Sequence, residues 1–224
     1  MMLINPYMFG ATPSTVALYH FNSNFDDSSG NNYNLSGNAV ISSAQSKFGG
    51  SSALFYVSES VSSSVDAIPP FAESDFTVEF WMYYLREENI FGAATENLVG
   101  FLPSSLPSER LMIRLDSSIG GTLQVEMVGG STTSGFITTS ITKTNLRNRW
   151  AHIALVRQGT SFKLYVDGTL AGSVTYSASF AIQSTLTIGK MPGGTNYYRG
   201  FIDDLRIRDI AVYTSDFTPP TSPF

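Results

Sequence analysis

No cysteine occurs among the 224 residues, which excludes disulfides, thiolate nucleophiles and thiolate metal sites. Charge is also scarce. Asp, Glu, Lys and Arg make up 14% of the chain, the basic residues stand singly, and the net charge is −5. A backbone of phosphates calls for clustered Lys and Arg, so nucleic acid is not an expected partner. No apolar run approaches the roughly 18 residues that cross a bilayer, so membrane insertion is not expected either. Met1–Gly10 has neither a basic stretch nor a continuous apolar one, and it does not read as a secretory signal. With two histidines, His20 and His152, and no G-x-S-x-G turn, the chain has neither a zinc-binding spacing nor a nucleophile elbow. A helix-period amphipathic window is missing as well, apart from one short turn expected at Asp209–Thr214.

What is present is period-two alternation. In Arg149–Thr175, Ile153 and Leu155 fall on one face of a strand, and Phe162, Leu164 and Val166 on one face of the next. Asp167-Gly168 between β-type runs predicts a two-residue hairpin turn with both residues at positive φ. Further runs fall at Val16–Phe21, Ala53–Val57, Phe76–Tyr84, Leu111–Leu115, Leu123–Val128, Phe136–Ile141, Leu186–Gly189 and Phe201–Arg208, separated by Gly, Asn, Ser or Pro. Many strands without alternating helices predict an all-β fold, an antiparallel two-sheet β-sandwich. Trp81 and Trp150 are expected inside it.

The sandwich is expected to occupy residues 15–214 as one domain. Residues 1–14 form an N-terminal arm and residues 215–224 a Pro-rich C-terminal tail, because Pro6, Pro13, Pro219, Pro220 and Pro223 cannot continue a central strand. Both ends carry large apolar groups: Leu3, Ile4, Tyr7 and Phe9 on one, Phe217 and Phe224 on the other. Such groups imply burial against the domain, another copy or a larger assembly.

Two kinds of site can be read from the residues. Asp26, Asp27, Asn31, Asn32 and Asn34 crowd one Gly-containing loop, as oxygen ligands of a hard cation do, although Asp and Asn also build turns through their own backbone. Asn196, Tyr197 and Tyr198 combine aromatic faces with a planar amide, the mixture that binds sugars, and Tyr83 with Tyr84 offers a second pair.

FTVEFWMYY at 76–84, RWAHIALVRQGTSFKLYVDGTLAGS at 149–173, LTIGK at 186–190 and GFIDDLRI at 200–207 resemble, in that order, laminin-G-like, concanavalin A-like jelly rolls. Val16–Asn38 resembles their first strand and loop, and Ala93–Arg110 departs from them like an insertion. The resemblance implies that His152, in W-A-H, is structural, and that a structural calcium ion joins Asp26 or Asp27 to Asp203. Hydrolases of this type carry E-x-D-x-x-E or a bulged E-x-D-x-x-x-E. Glu73, Asp75 and Glu79 match the bulged spacing, but the first two precede the strand, so catalysis is not expected. FTPPTSPF at 217–224 is similar to the ending of many tailed-phage virion proteins. The implied function is a non-catalytic virion structural or surface protein, a capsid decoration or tail appendage that docks on other virion proteins or copies of itself through its arms. The alternative is a carbohydrate-binding module that recognises a host-surface glycan.

Overall fold

The computed structural model describes residues 15–56, 58–64, 67–68, 73–85, 95–102, 109–117, 121–129, 133–180, 184–190 and 197–224. Readings at Leu3, Ile4, Tyr7, Phe9 and Asn196 lie outside them. In chain order the strands are β1 (Thr15–Tyr19), β2 (Ser36–Gly37), β3 (Val40–Ser42), β4 (Ser52–Phe55), β5 (Val61–Ser62), β6 (Phe76–Tyr84), β7 (Glu96–Leu102), β8 (Arg110–Leu115), β9 (Thr122–Gly129) and β10 (Thr133–Thr142). One helical turn, α1 (Lys143–Leu146), precedes β11 (Trp150–Gln158), β12 (Ser161–Val166), β13 (Thr169–Thr175), β14 (Thr185–Ile188) and β15 (Gly200–Arg208).

These strands form two antiparallel sheets. The larger runs β13-β12-β11-β6-β15-β4-β3, with β1 also paired to β15, and the smaller runs β10-β9-β8-β7-β14-β5-β2. Alternation decides which side chains lie between them. From the larger sheet, Phe76, Val78, Phe80, Met82, Ile153, Leu155, Phe162 and Leu164 enter the core; from the smaller, Phe101, Leu111, Ile113, Val125, Met127 and Leu186 face them. The β12–β13 turn forms as expected, with Asp167 at φ 51° and Gly168 at φ 79°.

The other face of β6 carries Thr77, Glu79, Trp81 and Tyr83. The segment after β15 lies across this outer face of the larger sheet. Tyr213 and Phe217 stack with ring centres 3.5 Å apart, and Phe217 also meets Tyr165 and His152 edge-on. The Phe217 amide donates to the Gly168 carbonyl at 2.9 Å, and the Phe224 amide to Asp204 Oδ2 at 2.9 Å. Phe217 and Phe224 therefore pack on their own domain. Position 168 leaves no room for a side chain, because a Cβ there would run into the Phe217 carbonyl.

Three expectations need correction. Ala93–Arg110 is not an insertion throughout, since residues 96–102 form β7, a central strand of the smaller sheet. The helical turn sits at Lys143–Leu146, capped by Thr142 and Asn145, and not at Asp209–Thr214. Trp81 and Trp150 point away from the inter-sheet core. Trp81 is buried on the outer face between Phe48 and His152, and half-buried Trp150 packs edge-on against Tyr83.

Candidate functional site: the outer face of the seven-stranded sheet

Glu79, the last carboxylate of the hydrolase-like triple, sits beneath the tail. Its Oε1 accepts from Arg206 Nη2 at 2.7 Å, its Oε2 from the Tyr213 hydroxyl at 2.7 Å, and His152 Nε2 lies 3.3 Å away. Burial pushes this carboxyl up, but His152, Arg206 and Tyr213 together hold it below the usual carboxylate range. Asp75 is turned elsewhere: its Oδ1 accepts from the Gly159 amide at 2.7 Å at the far end of the strand. Glu73 and Asp75 both act on Arg157, whereas Glu79 is held by His152, Arg206 and Tyr213. Glu79 is thus a fully satisfied anchor for the tail.

The smaller sheet turns a differently composed face outward. Directly opposed residues on antiparallel strands share a face, and a row of them runs Phe136, Glu126, Met112, Gly100, Thr187, Ser62, Ser36. Gly100, Thr187 and the serines keep one side of the row low. Ser60, Val61, Ser62, Thr187 and Lys190 line a depression there. On the other side Glu126, only 6% exposed, accepts from Arg110 Nη2 at 2.5 Å and from Arg114 Nη1 at 2.6 Å through separate oxygens. The Arg114 guanidinium also lies 5.6 Å from the ring centre of Phe136, which is 44% exposed.

One row further along, Arg114 stands opposite Asn97. Asn97 is 6% exposed, and neither its Oδ1 nor Arg114 Nε has a hydrogen-bond partner. Tyr197 pairs its backbone with both Asn97 and Lys190, and Lys190 Nζ lies 5.6 Å from the Tyr197 ring centre. The face therefore brings together two half-exposed aromatic rings, planar polar groups, three cations and an unmet donor beside an unmet acceptor.

A family model described as the concanavalin A-like lectin/glucanases superfamily matches residues 57–216. The chain belongs to that superfamily. Its fold is similar to the binding domain of Paraclostridial Mosquitocidal Protein 1, with a TM-score of 0.69 and 21% identity over 89% of this chain and 50% of that one. It is likewise similar to the botulinum neurotoxin serotype G binding domain, with a TM-score of 0.65 and 12% identity over 89% of this chain and 49% of that one. The chain thus spans about half the length of these toxin domains. Domain 4 of AbnA, an extracellular arabinanase from Geobacillus stearothermophilus solved with arabinotriose, is matched over 95% of its length and 90% of this chain, with a TM-score of 0.59 and 17% identity. No curated protein matches the sequence. At these identities the structural likeness bears on fold.

Against this lectin/glucanase frame, the sugar-site and calcium residues read from the sequence separate. Tyr198 is fully buried, its hydroxyl 2.9 Å from the Tyr83 carbonyl and its ring stacked on Tyr84, so it has no face for a sugar. Tyr197 is on the outer face. Tyr83 and Tyr84 split in the same way: Tyr84 points inward and donates to Glu96 Oε1 at 3.0 Å, and Tyr83 lies on the opposite face.

Asp27 accepts from the amides of Leu18, Ser29 and Tyr33 and from the Ser29 hydroxyl. Asp203 Oδ2 accepts from the amides of Lys47 at 2.7 Å and Phe48 at 3.1 Å, and exposed Asp26 accepts from Asn24. A hard cation needs six to eight oxygens, and amide hydrogens aimed at the same carboxylates oppose it. Among the described residues no three His, Asp or Glu side chains gather as ligands. Asp27 spends both oxygens on these donors, whereas Asp203 Oδ1 has no partner.

Asn97, Arg114 and Glu126 were not singled out from sequence. The missed signal is polar alternation, R-L-M-I-R-L at 110–115 and T-L-Q-V-E-M at 122–127, which places Arg110, Arg114, Gln124 and Glu126 on one face.

Proposed function

We propose that this chain is a non-catalytic carbohydrate-binding module, carried at the surface of a tailed-phage virion, which receives sugar on the outer face of the seven-stranded sheet. The observation that carries the proposal is the opposed pair Asn97 Oδ1 and Arg114 Nε, both without partners. A buried polar atom left unmet costs about 1–3 kcal/mol. A sugar hydroxyl, at once donor and acceptor, answers both members of the pair. Phe136 and Tyr197 add aromatic faces for the apolar sides of sugar rings. Both atoms are buried, so binding requires the side chains that cover them to move aside.

The non-catalytic part is supported by the different partners of Asp75 and Glu79 and by the complete pairing of Glu79. The virion setting is supported by the resemblance of Phe217–Phe224 to tailed-phage proteins, with other virion proteins or further copies as partners. Docking through that arm requires Phe217 and Phe224 to leave the sheet they cover. A particle map that finds no copy of the chain removes the setting and leaves the sugar site untouched.

Binding to a broad glycan array tests the site. Asn97→Ala and Tyr197→Ala should each weaken the best glycan at least about tenfold, in line with loss of roughly 1.4 kcal/mol, with unfolding midpoints close to wild type. Wild type that binds no glycan, or variants that bind as wild type does, overturn the proposal.

A further inference from the structure

We infer that the outer face of the larger sheet holds a second saccharide site, kept shut in the free chain by the C-terminal tail. Asp203, Trp81 and His152 stand directly opposed across β15, β6 and β11, in one row of that face. Tyr165, on β12, lies in the next row, where Ala154 separates it from Glu79. None of the four is more than 5% exposed. Each nevertheless has a polar atom with no hydrogen-bond partner among the described residues: Asp203 Oδ1, Trp81 Nε1, His152 Nδ1 and the Tyr165 hydroxyl. Native structures leave few buried groups in that state, and here four share one face.

The tail supplies a cover without supplying partners. Phe217 lies edge-on against His152 and Tyr165, with ring centres 5.8 and 5.5 Å away, and Phe224 meets His152 at 6.5 Å. Loss of these rings uncovers His152 and Tyr165, and Trp81 and Asp203 continue the row beneath Phe48. The tail also shows what a peptide takes from this face. The Val212 amide bonds Thr77, the Tyr213 hydroxyl Glu79, the Phe217 amide Gly168 and the Phe224 amide Asp204, and none of these bonds uses the four unmet atoms. A different occupant fits them better. Trp81 Nε1 donates, an ionised Asp203 accepts, and His152 and Tyr165 do either, so sugar hydroxyls, which are both donors and acceptors, answer all four. A saccharide there and a released tail favour each other by the same factor. Copies docked through the tail thus carry a site that free copies lack; this coupling rests on the docking proposed above, and the site itself does not.

The experiment starts from Asn97→Ala, which silences the site on the smaller sheet, and adds Phe217→Ala with Phe224→Ala to loosen the tail in the full chain. On a broad glycan array the triple variant should bind at least one saccharide about tenfold or more tightly than Asn97→Ala alone. A synthetic peptide of residues 211–224 should compete with that binding. Tyr165→Phe added to the triple variant should remove most of the gain. In the otherwise natural chain Tyr165→Phe should leave the thermal midpoint unchanged or raised, because the hydroxyl it deletes has no partner. Phe217→Leu replaces the alanine pair if that pair does not unfold cooperatively. No gain on loosening the tail of a folded chain overturns the inference, as does a gain indifferent to Tyr165→Phe or to the peptide. A midpoint lowered by Tyr165→Phe overturns it too, since the hydroxyl is then already satisfied. None of these outcomes depends on sugar binding by the natural chain, so the site on the smaller sheet stands or falls separately.

Discussion

Asp203 shows how a single residue can be placed for the fold at a measurable cost. Its carboxylate holds the Lys47 and Phe48 amides while fully buried, with Oδ1 lacking any partner. Burial above all, with Asp204 adding to it, raises its pKa from 3.8 to about 6. The folded state therefore keeps a proton that the unfolded chain gives up, and this stabilisation is lost as pH rises from about 4 through about 6. Asp203→Asn keeps a carbonyl acceptor for the two amides and removes the charge. It should match wild type near pH 3.5 and be more stable at pH 7.5, by on the order of 3 kcal/mol at 1.36 kcal/mol per pKa unit. Urea midpoints at the two pH values check this, and an equal change at both is the outcome that defeats it. The residue scale also explains why Tyr197 and Tyr198 are indistinguishable in composition and opposite in role. One step along an extended chain reverses the face, and no residue type records which face is which.

At the scale of the element, alternation was legible wherever a strand had one wet face. β11 and β12 place Ile153, Leu155, Phe162 and Leu164 in the core as their spacing requires. β7 was missed because ENLVGFL is buried on nearly every residue, interrupted by a glycine and bulged between Asn97 and Val99, so it has no period of two. Trp81 was misplaced for a related reason. Phe80 and Met82 already occupy the inner face, and Trp81 is buried on the outer one by Lys47, Phe48 and His152, which come from elsewhere in the chain.

The tail obeys the same logic, since its prolines mark it as non-strand and do not disclose that a whole sheet face awaits it. Tyr213 is its polar tie, donating to Glu79 at 2.7 Å while Phe217 fills the gap beside Tyr165. A hydrogen bond to a buried charge is worth about 1.5–3 kcal/mol, so Tyr213→Phe should lower stability by that amount. Double-mutant analysis with Glu79→Gln separates the bond from the ring. Additive losses in that cycle would mean that the hydroxyl and carboxylate do not act together.

For the whole molecule, the two sheets divide the labour. The outer face of the larger sheet is partly closed by the tail, whereas that of the smaller sheet holds a buried unmet donor and acceptor. Neither asymmetry is visible in a strand pattern, because it depends on which segments return to cover which face. The same global arrangement bears on a structural ion. In this fold the loop after β1 is tied to the rest by Asp27 and amide hydrogens, and Asp203 ties residues 47 and 48 to β15. These links staple the loop through amide hydrogens, and a cation at Asp27 first has to strip off amides. Thermal unfolding in millimolar calcium and in chelator should therefore give the same midpoint. A native-state ion at a hundred times its Kd adds about 2.7 kcal/mol, and at this chain length each kcal/mol moves the midpoint by roughly 2–4 °C. A calcium-dependent rise of about 5 °C or more would show that the amide-bonded carboxylates rearrange to bind the ion, and that the loop after β1 is held by metal instead of by backbone.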